Sequence, residues 1–230
     1  MDRNVLGYPV EAGSTGRSLD QQRVLRNTYW LLALSMIPTV LGAWLGVSTG
    51  FMATMGPGLS MIVFLVGAFG LMFAVEKYKN QAAGVPLLLA FTFFMGLMLS
   101  RLLGFVLSMK GGASFVMMAF AGTGVIFFGM ASLSSIIKRD LTSMGKFLLV
   151  GVILLILASI ANLFLQSSAL MITLSVIAIG IFSAFILHDL KRVKDGEETN
   201  YISATMGVYI SLYNVFTSLL SLFGIAGSRD

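Results

Sequence analysis

Cysteine is absent from all 230 residues, which excludes disulfides, thiolate metal sites and a cysteine nucleophile. Charge is nearly as scarce. Asp, Glu, Lys and Arg make up 11% of the chain, against roughly 25% in a soluble domain. So few charges cannot cover a water-facing surface, and an ordinary soluble enzyme is excluded. Histidine occurs once, at position 188, so a His-rich metal cluster is excluded too. What fills the space is apolar: 57% of residues are hydrophobic and the mean hydropathy is +0.92. This is the composition of an all-α membrane protein. The 25 glycines suit helices packed closely in lipid, where small residues let backbones approach.

About 20 apolar residues are needed to cross the hydrocarbon core as a helix. Cutting the chain at charges and turn formers predicts seven transmembrane helices, near 28–49, 59–75, 85–109, 114–137, 147–165, 170–188 and 202–225. The runs are continuous rather than alternating, which argues against a barrel. The first run starts well inside the chain and lacks a small-residue cleavage site, so it reads as a retained span. Ahead of it, residues 1–27 form a polar tail of mixed charge without an amphipathic period long enough to force a helix, and its first twenty residues read as mobile. Residues 28–225 form the bundle, and 226–230 a short external tail.

Orientation follows from Lys and Arg. Alternate segments carry twelve on the side of the N-terminus and two on the other, with Arg101 left inside a span. The positive-inside rule then places the N-terminus in the cytoplasm and the C-terminus outside. The net charge of +5 speaks to topology here, and nucleic acid is not an expected partner.

Ionisable groups at membrane depth each need an account. Arg101 lies about 12 Å of helix before the outer end of its span. It either snorkels to the headgroups or serves a buried carboxylate or an ion path. Gly96, Ser100 and Gly104 on the same helix recur every four residues and form a small face for packing. Asp189 is interfacial if the sixth helix ends near His188. If the helix continues another turn, Asp189 faces the bundle. His188, adjacent along the helix, is expected to point elsewhere, and the two make a poor metal site. In the last helix Gly207, Ser211, Asn214, Ser218 and Ser221 are spaced 4, 3, 4 and 3 apart, one polar seam. The seam either hydrogen-bonds between helices or lines a conduction path.

Enzyme motifs fail. Gly46-Val47-Ser48-Thr49-Gly50 fits G-x-S-x-G only formally, since that motif needs a strained strand-to-helix turn and a nearby histidine. His188 is predicted about 30 Å away, across the core. Glu197 and Glu198 read as a solvated turn. No catalytic residue, cofactor or metal is expected, and the protein reads as a non-enzyme.

Several stretches carry a family resemblance. They are Val24-Leu25-Arg26-Asn27-Thr28-Tyr29, Ala121-Gly122-Thr123-Gly124-Val125-Ile126-Phe127-Phe128, Lys138-Arg139-Asp140-Leu141 and Ala161-Asn162-Leu163-Phe164-Leu165-Gln166. The most specific is the C-terminal stretch from Gly196-Glu197-Glu198-Thr199-Asn200-Tyr201-Ile202 through Tyr209, Tyr213-Asn214 and Phe216 to Ser218-Leu219-Leu220 and Phe223-Gly224. From about Arg23 onward the chain resembles the Bax-inhibitor (TMBIM) superfamily, in its bacterial YccA-like branch. The resemblance implies six helices around a central C-terminal one and an inner-membrane location. It implies a partner as well, the ATP-dependent membrane protease FtsH, which such proteins bind and modulate in the manner of a substrate or inhibitor. The N-terminal tail would be the protease handle, with Met1, Asp2, Arg3 and Arg17; 27 residues could extend to ~90 Å. Other bacterial members imply the alternative, a pH-sensitive Ca²⁺ or H⁺ leak channel controlled by two aspartates. The first matches Asp189; the second falls on Ser211, so a carboxylate pair sharing a proton cannot form. Ser211, Asn214 and Arg101 complete the ion-path and pH-sensing candidates. The family's partner arginine is replaced at best by Lys77 or Lys79.

Overall fold

The computed structural model describes residues 12–50 and 54–227, and these form seven long helices: α1 (Ala12–Thr49), α2 (Pro57–Tyr78), α3 (Gly84–Leu107), α4 (Gly112–Ile136), α5 (Met144–Leu165), α6 (Ser168–Asp195) and α7 (Tyr201–Gly227). No strand occurs among the described residues. All seven helices are long and apolar enough to cross a membrane. The surface agrees with that reading. Phe73, Phe120, Phe128, Phe147 and Phe164 all face outward, an apolar exposure no water-soluble monomer sustains.

Two helices differ from expectation at their ends. The first starts at Ala12 rather than near position 28, so residues 12–27, read from sequence as part of an unstructured tail, are helical. At 1.5 Å per residue α1 is about 57 Å long, well beyond the roughly 30 Å hydrocarbon core. The sixth runs on past His188 to Asp195. Both extensions carry more charge than the spans, which is why a hydropathy window ends short of them. They are packed as well: Leu190 and Val193 of α6 are fully buried, and Leu25 of α1 packs against the core. Asp20 pairs with Arg23 at 3.7 Å along α1, and Lys191 pairs with Asp195 along α6. The extensions also meet: Gly196, at φ 80° in the left-handed C-cap of α6, lies so close to Gln21 that a Cβ there would stand 2.4 Å from Gln21 Nε2.

The core is built from α1, α2, α3, α6 and α7, with Leu31, Leu32, Val75, Leu88, Phe91, Ile186, Leu190, Val208, Tyr209 and Val215 buried. Phe91 and Tyr209 meet edge-on at 5.9 Å. The most extensive helix contact is α1 on α3, made possible by small residues. A Cβ on Gly42 would stand 2.2 Å from the Phe93 carbonyl oxygen, one on Gly96 2.1 Å from that of Thr39, and one on Gly46 2.4 Å from Ser100 Oγ. The expected small face is therefore used at Gly96 and Ser100. Gly104 has open space beside it. Helix α7 packs on α6, α4, α1 and α3 and slightly on α2, while α5 packs chiefly on α6 and buries only Leu155. The packing thus gives α7 five neighbours, with α5 on the flank.

Candidate functional site at the basic end of the bundle

The helix ends richest in Lys and Arg gather on one side: the start of α1, the α2–α3 turn, the α4–α5 connection and the α6–α7 connection. Just beneath this basic end sit His188 and Asp189. Because α6 continues through them, Asp189 is mostly buried, with 17% of its side chain exposed, and faces α7. A methyl group added to Gly207 would lie 2.8 Å from its Oδ2. The bundle-facing alternative therefore describes Asp189. His188 does not point away as its place along the helix suggested. Its ring turns back, and Nδ1 lies 3.1 Å from Asp189 Oδ1. The other ring nitrogen, Nε2, is buried with no hydrogen-bond partner among the described residues and faces Gly145 at the start of α5. Among the described residues no group of three or more His, Asp or Glu side chains is placed to hold a metal ion.

The polar seam of α7 mostly turns inward on its own helix. Ser211 Oγ donates to the Gly207 carbonyl at 3.1 Å, and Asn214 Nδ2 donates to the Ile210 carbonyl at 2.8 Å. The bonds of α7 to other helices are made by Thr205 and Tyr209 and, in its first turn, by Ser203, none of which the seam included. Thr205 Oγ1 reaches the Thr28 carbonyl of α1 at 3.3 Å. The Tyr209 hydroxyl lies 2.8 Å from Thr39 Oγ1 and 3.3 Å from the Thr92 carbonyl. A signal was available for Tyr209: a tyrosine deep in an apolar span must find a partner for its hydroxyl.

Arg101 is brought to none of these groups. It is exposed near the other end of the bundle and donates to Ser60 Oγ at 3.3 Å, the place the snorkelling alternative gives it. Ser48 lies in the last turn of α1 and donates to the Leu45 carbonyl, so the G-x-S-x-G match is a helix end and no strained turn. Lys79 pairs with Glu76 rather than with Asp189. Met1, Asp2 and Arg3 lie outside the described residues; the backbone at Arg17 is helical.

Above the His188–Asp189 pair the connections are laced together. Asn200 caps α7, accepting from the Ile202 and Ser203 amides at 2.9 and 3.1 Å, while its Nδ2 reaches Asn80 Oδ1 at 2.8 Å and the Lys79 carbonyl at 3.3 Å. Ser203 donates to Glu76 at 3.0 Å. Lys194 covers the end of α4 through Ser134, Ser135 and the Ala131 carbonyl, a cation where the helix dipole favours one. Glu197 and Glu198, read from sequence as a solvated turn, lie 3.6 and 3.8 Å from Arg192. Thr142 joins the other loop to this one through Glu197 at 2.8 Å. The Thr142 hydroxyl, then its backbone N–H, hold the Asp140 carboxyl below the ordinary carboxylate range.

A family model, described as "Inhibitor of apoptosis-promoting Bax1", matches residues 21–228. The chain belongs to the Bax-inhibitor family. Among its relatives is the "Modulator of FtsH protease YccA" of Escherichia coli K12, 38% identical over 212 residues that span 92% of this chain and 94% of that one. An uncharacterized membrane protein of Vibrio cholerae is also 38% identical, over 225 residues and 96% and 97% of the two chains. A protein of Pseudomonas aeruginosa, likewise uncharacterized, is 37% identical over 207 residues, covering 90% and 91%. With seven apolar helices and inner-membrane relatives, this is a multi-pass inner-membrane protein of the Bax-inhibitor family.

Proposed function

We propose that the protein binds FtsH and modulates its proteolysis, entering the protease from its N-terminus, which lies in the cytoplasm while the C-terminus lies outside. The observation that carries this reading is the 38% identity, over nearly the full length of both chains, to a relative named as a modulator of that protease. The twelve-to-two division of Lys and Arg supports the orientation. The mechanism is occupancy. A motor that grips the N-terminus meets α1, which is interlocked with α3 and pinned to α7, and a bundle that resists extraction keeps the protease from other substrates. Met1, Asp2 and Arg3 belong to the handle ahead of Ala12, and Arg17 to the helix the motor meets next.

The cation-leak alternative has less support. Asp189 is engaged by His188, and Ser211 is bonded to the backbone of its own helix, so the two positions of the family's carboxylate pair are separately occupied. Asn214 is bonded in the same manner, and Arg101 lies towards the far end. The deciding experiment removes residues 2–11, which leaves α1 whole. The truncated protein should unfold at the same temperature as the full chain in detergent, but should no longer be degraded by FtsH or slow its turnover of a second substrate. Unchanged degradation and unchanged inhibition would dismiss the handle.

A further inference from the structure

We infer that α1 carries a binding site for one anionic diacyl phospholipid at the basic end of the bundle, independently of any protease. Trp30 projects from α1 with 72% of its surface exposed, and a furrow runs along each side of it. The first, about 340 Å³, is lined by Asn27, Trp30, Leu31, Leu34 and Tyr201; the second, about 320 Å³, by Arg26, Tyr29, Trp30 and Ala33. Both are shallow and open along the helix surface, as a furrow occupied by an acyl chain from the surrounding lipid would be. Their walls are fixed. Thr205 ties the start of α7 to α1 through the Thr28 carbonyl, and the Tyr29 ring stands edge-on to Phe127 of α4 at 6.1 Å.

The chemistry along α1 changes in one turn. Leu31, Ala33 and Leu34 line the furrows on the side away from the basic end, where a chain of methylenes is the matching surface. Arg26 and Asn27, four and three residues before Trp30, stand one turn nearer the basic end on the same face. Both are exposed. Among the described residues no carboxylate pairs with Arg26, whereas Arg23 nearby is taken by Asp20. A guanidinium with its fork free at headgroup level suits a phosphate, which it can hold through two parallel N–H donors. Two furrows divided by one aromatic ridge, with a cation and an amide at their head, match a lipid with two tails and one anionic headgroup. A free phosphate would leave the furrows unused, and a zwitterionic lipid would bring its own cation close to Arg26.

Native mass spectrometry of the full-length protein, in micelles containing equal phosphatidylglycerol and phosphatidylcholine, tests this. The unaltered chain should retain one phosphatidylglycerol in preference to phosphatidylcholine. Arg26→Gln should lower that retention about tenfold and erase the preference, as loss of one charge-assisted contact implies. Trp30→Ala should lower retention of both lipids. Trp44→Ala is the control, because Trp44 is almost as exposed, at 66%, but lies far along α1 from the furrows. All three positions face outward, so unfolding temperatures should match that of the unaltered protein. Equal retention by Arg26→Gln, or an equal loss in Trp44→Ala, would overturn the site. So would a Trp30→Ala variant that loses a protein partner while keeping its lipid, since the furrows would then be a protein interface.

Discussion

Gly96 and Gly104 lie two turns apart on one face of α3, yet only one of them is pressed against a neighbour. An added Cβ at Gly96 would meet the α1 backbone at Thr39, and backbone cannot turn aside as a side-chain tip can. Gly96→Ala should therefore destabilise the bundle by ~2 kcal/mol or more, whereas Gly104→Ala should stay within about 0.5 kcal/mol. Thermal unfolding of the two variants in the same detergent checks the contrast. Sequence spacing finds the small-residue face but not which member is used, because that depends on the phase of the partner helix. Tyr209→Phe should cost about 1 kcal/mol by removing a buried hydrogen bond, read from the same unfolding curves. Asp140 offers a pH effect. Its carboxyl is held low by Thr142, so the Asp140–Thr142 turn is secured above the ordinary carboxylate range and released as pH falls through the lowered value. Amide exchange at Thr142 should quicken on acidification, and Asp140→Asn should abolish that response.

At the scale of helices, the apolar middles were legible and the ends were not. All seven spans fall where the hydropathy runs place them, since burial in lipid selects the same residues a window selects. The ends of α1 and α6 depend on ion pairs, a glycine in the left-handed region and contacts made across the bundle, none of which a local window reads. His188 and Asp189 depend directly on those ends: with α6 one turn shorter they would be interfacial, and with it continued they are packed beneath the connections. Gly196→Val tests the joint. It demands φ 80° of a β-branched residue and places a side chain on Gln21. It should cost ~2–3 kcal/mol and raise amide exchange in both the last turn of α6 and the turn of α1 around Gln21. A loss confined to α6 would show that the two extensions are not joined.

For the molecule as a whole, composition and charge spacing were enough to reach a seven-span membrane protein, and the resemblance reached its family. The arrangement of α7 was only partly legible. The resemblance implied six helices around it, whereas four of the others pack extensively on it and α2 slightly. The helix left on the flank, α5, buries a single residue, so nothing in its sequence specifies which partner it leans on. The orientation is open to a direct check. A reporter fused at Asp230 should be active only outside the cytoplasm, and cytoplasmic activity would reverse the proposed entry of the protease.

The notched joint between α1 and α3 has a mechanical corollary. Both helices run in the same direction, so hauling on the amino end drags α1 lengthwise in its groove, and the notches at Gly42, Gly46 and Gly96 oppose the slide together. Gly96→Ala, by forcing the two backbones apart, should lower the force at which the bundle yields to a pull on the amino end.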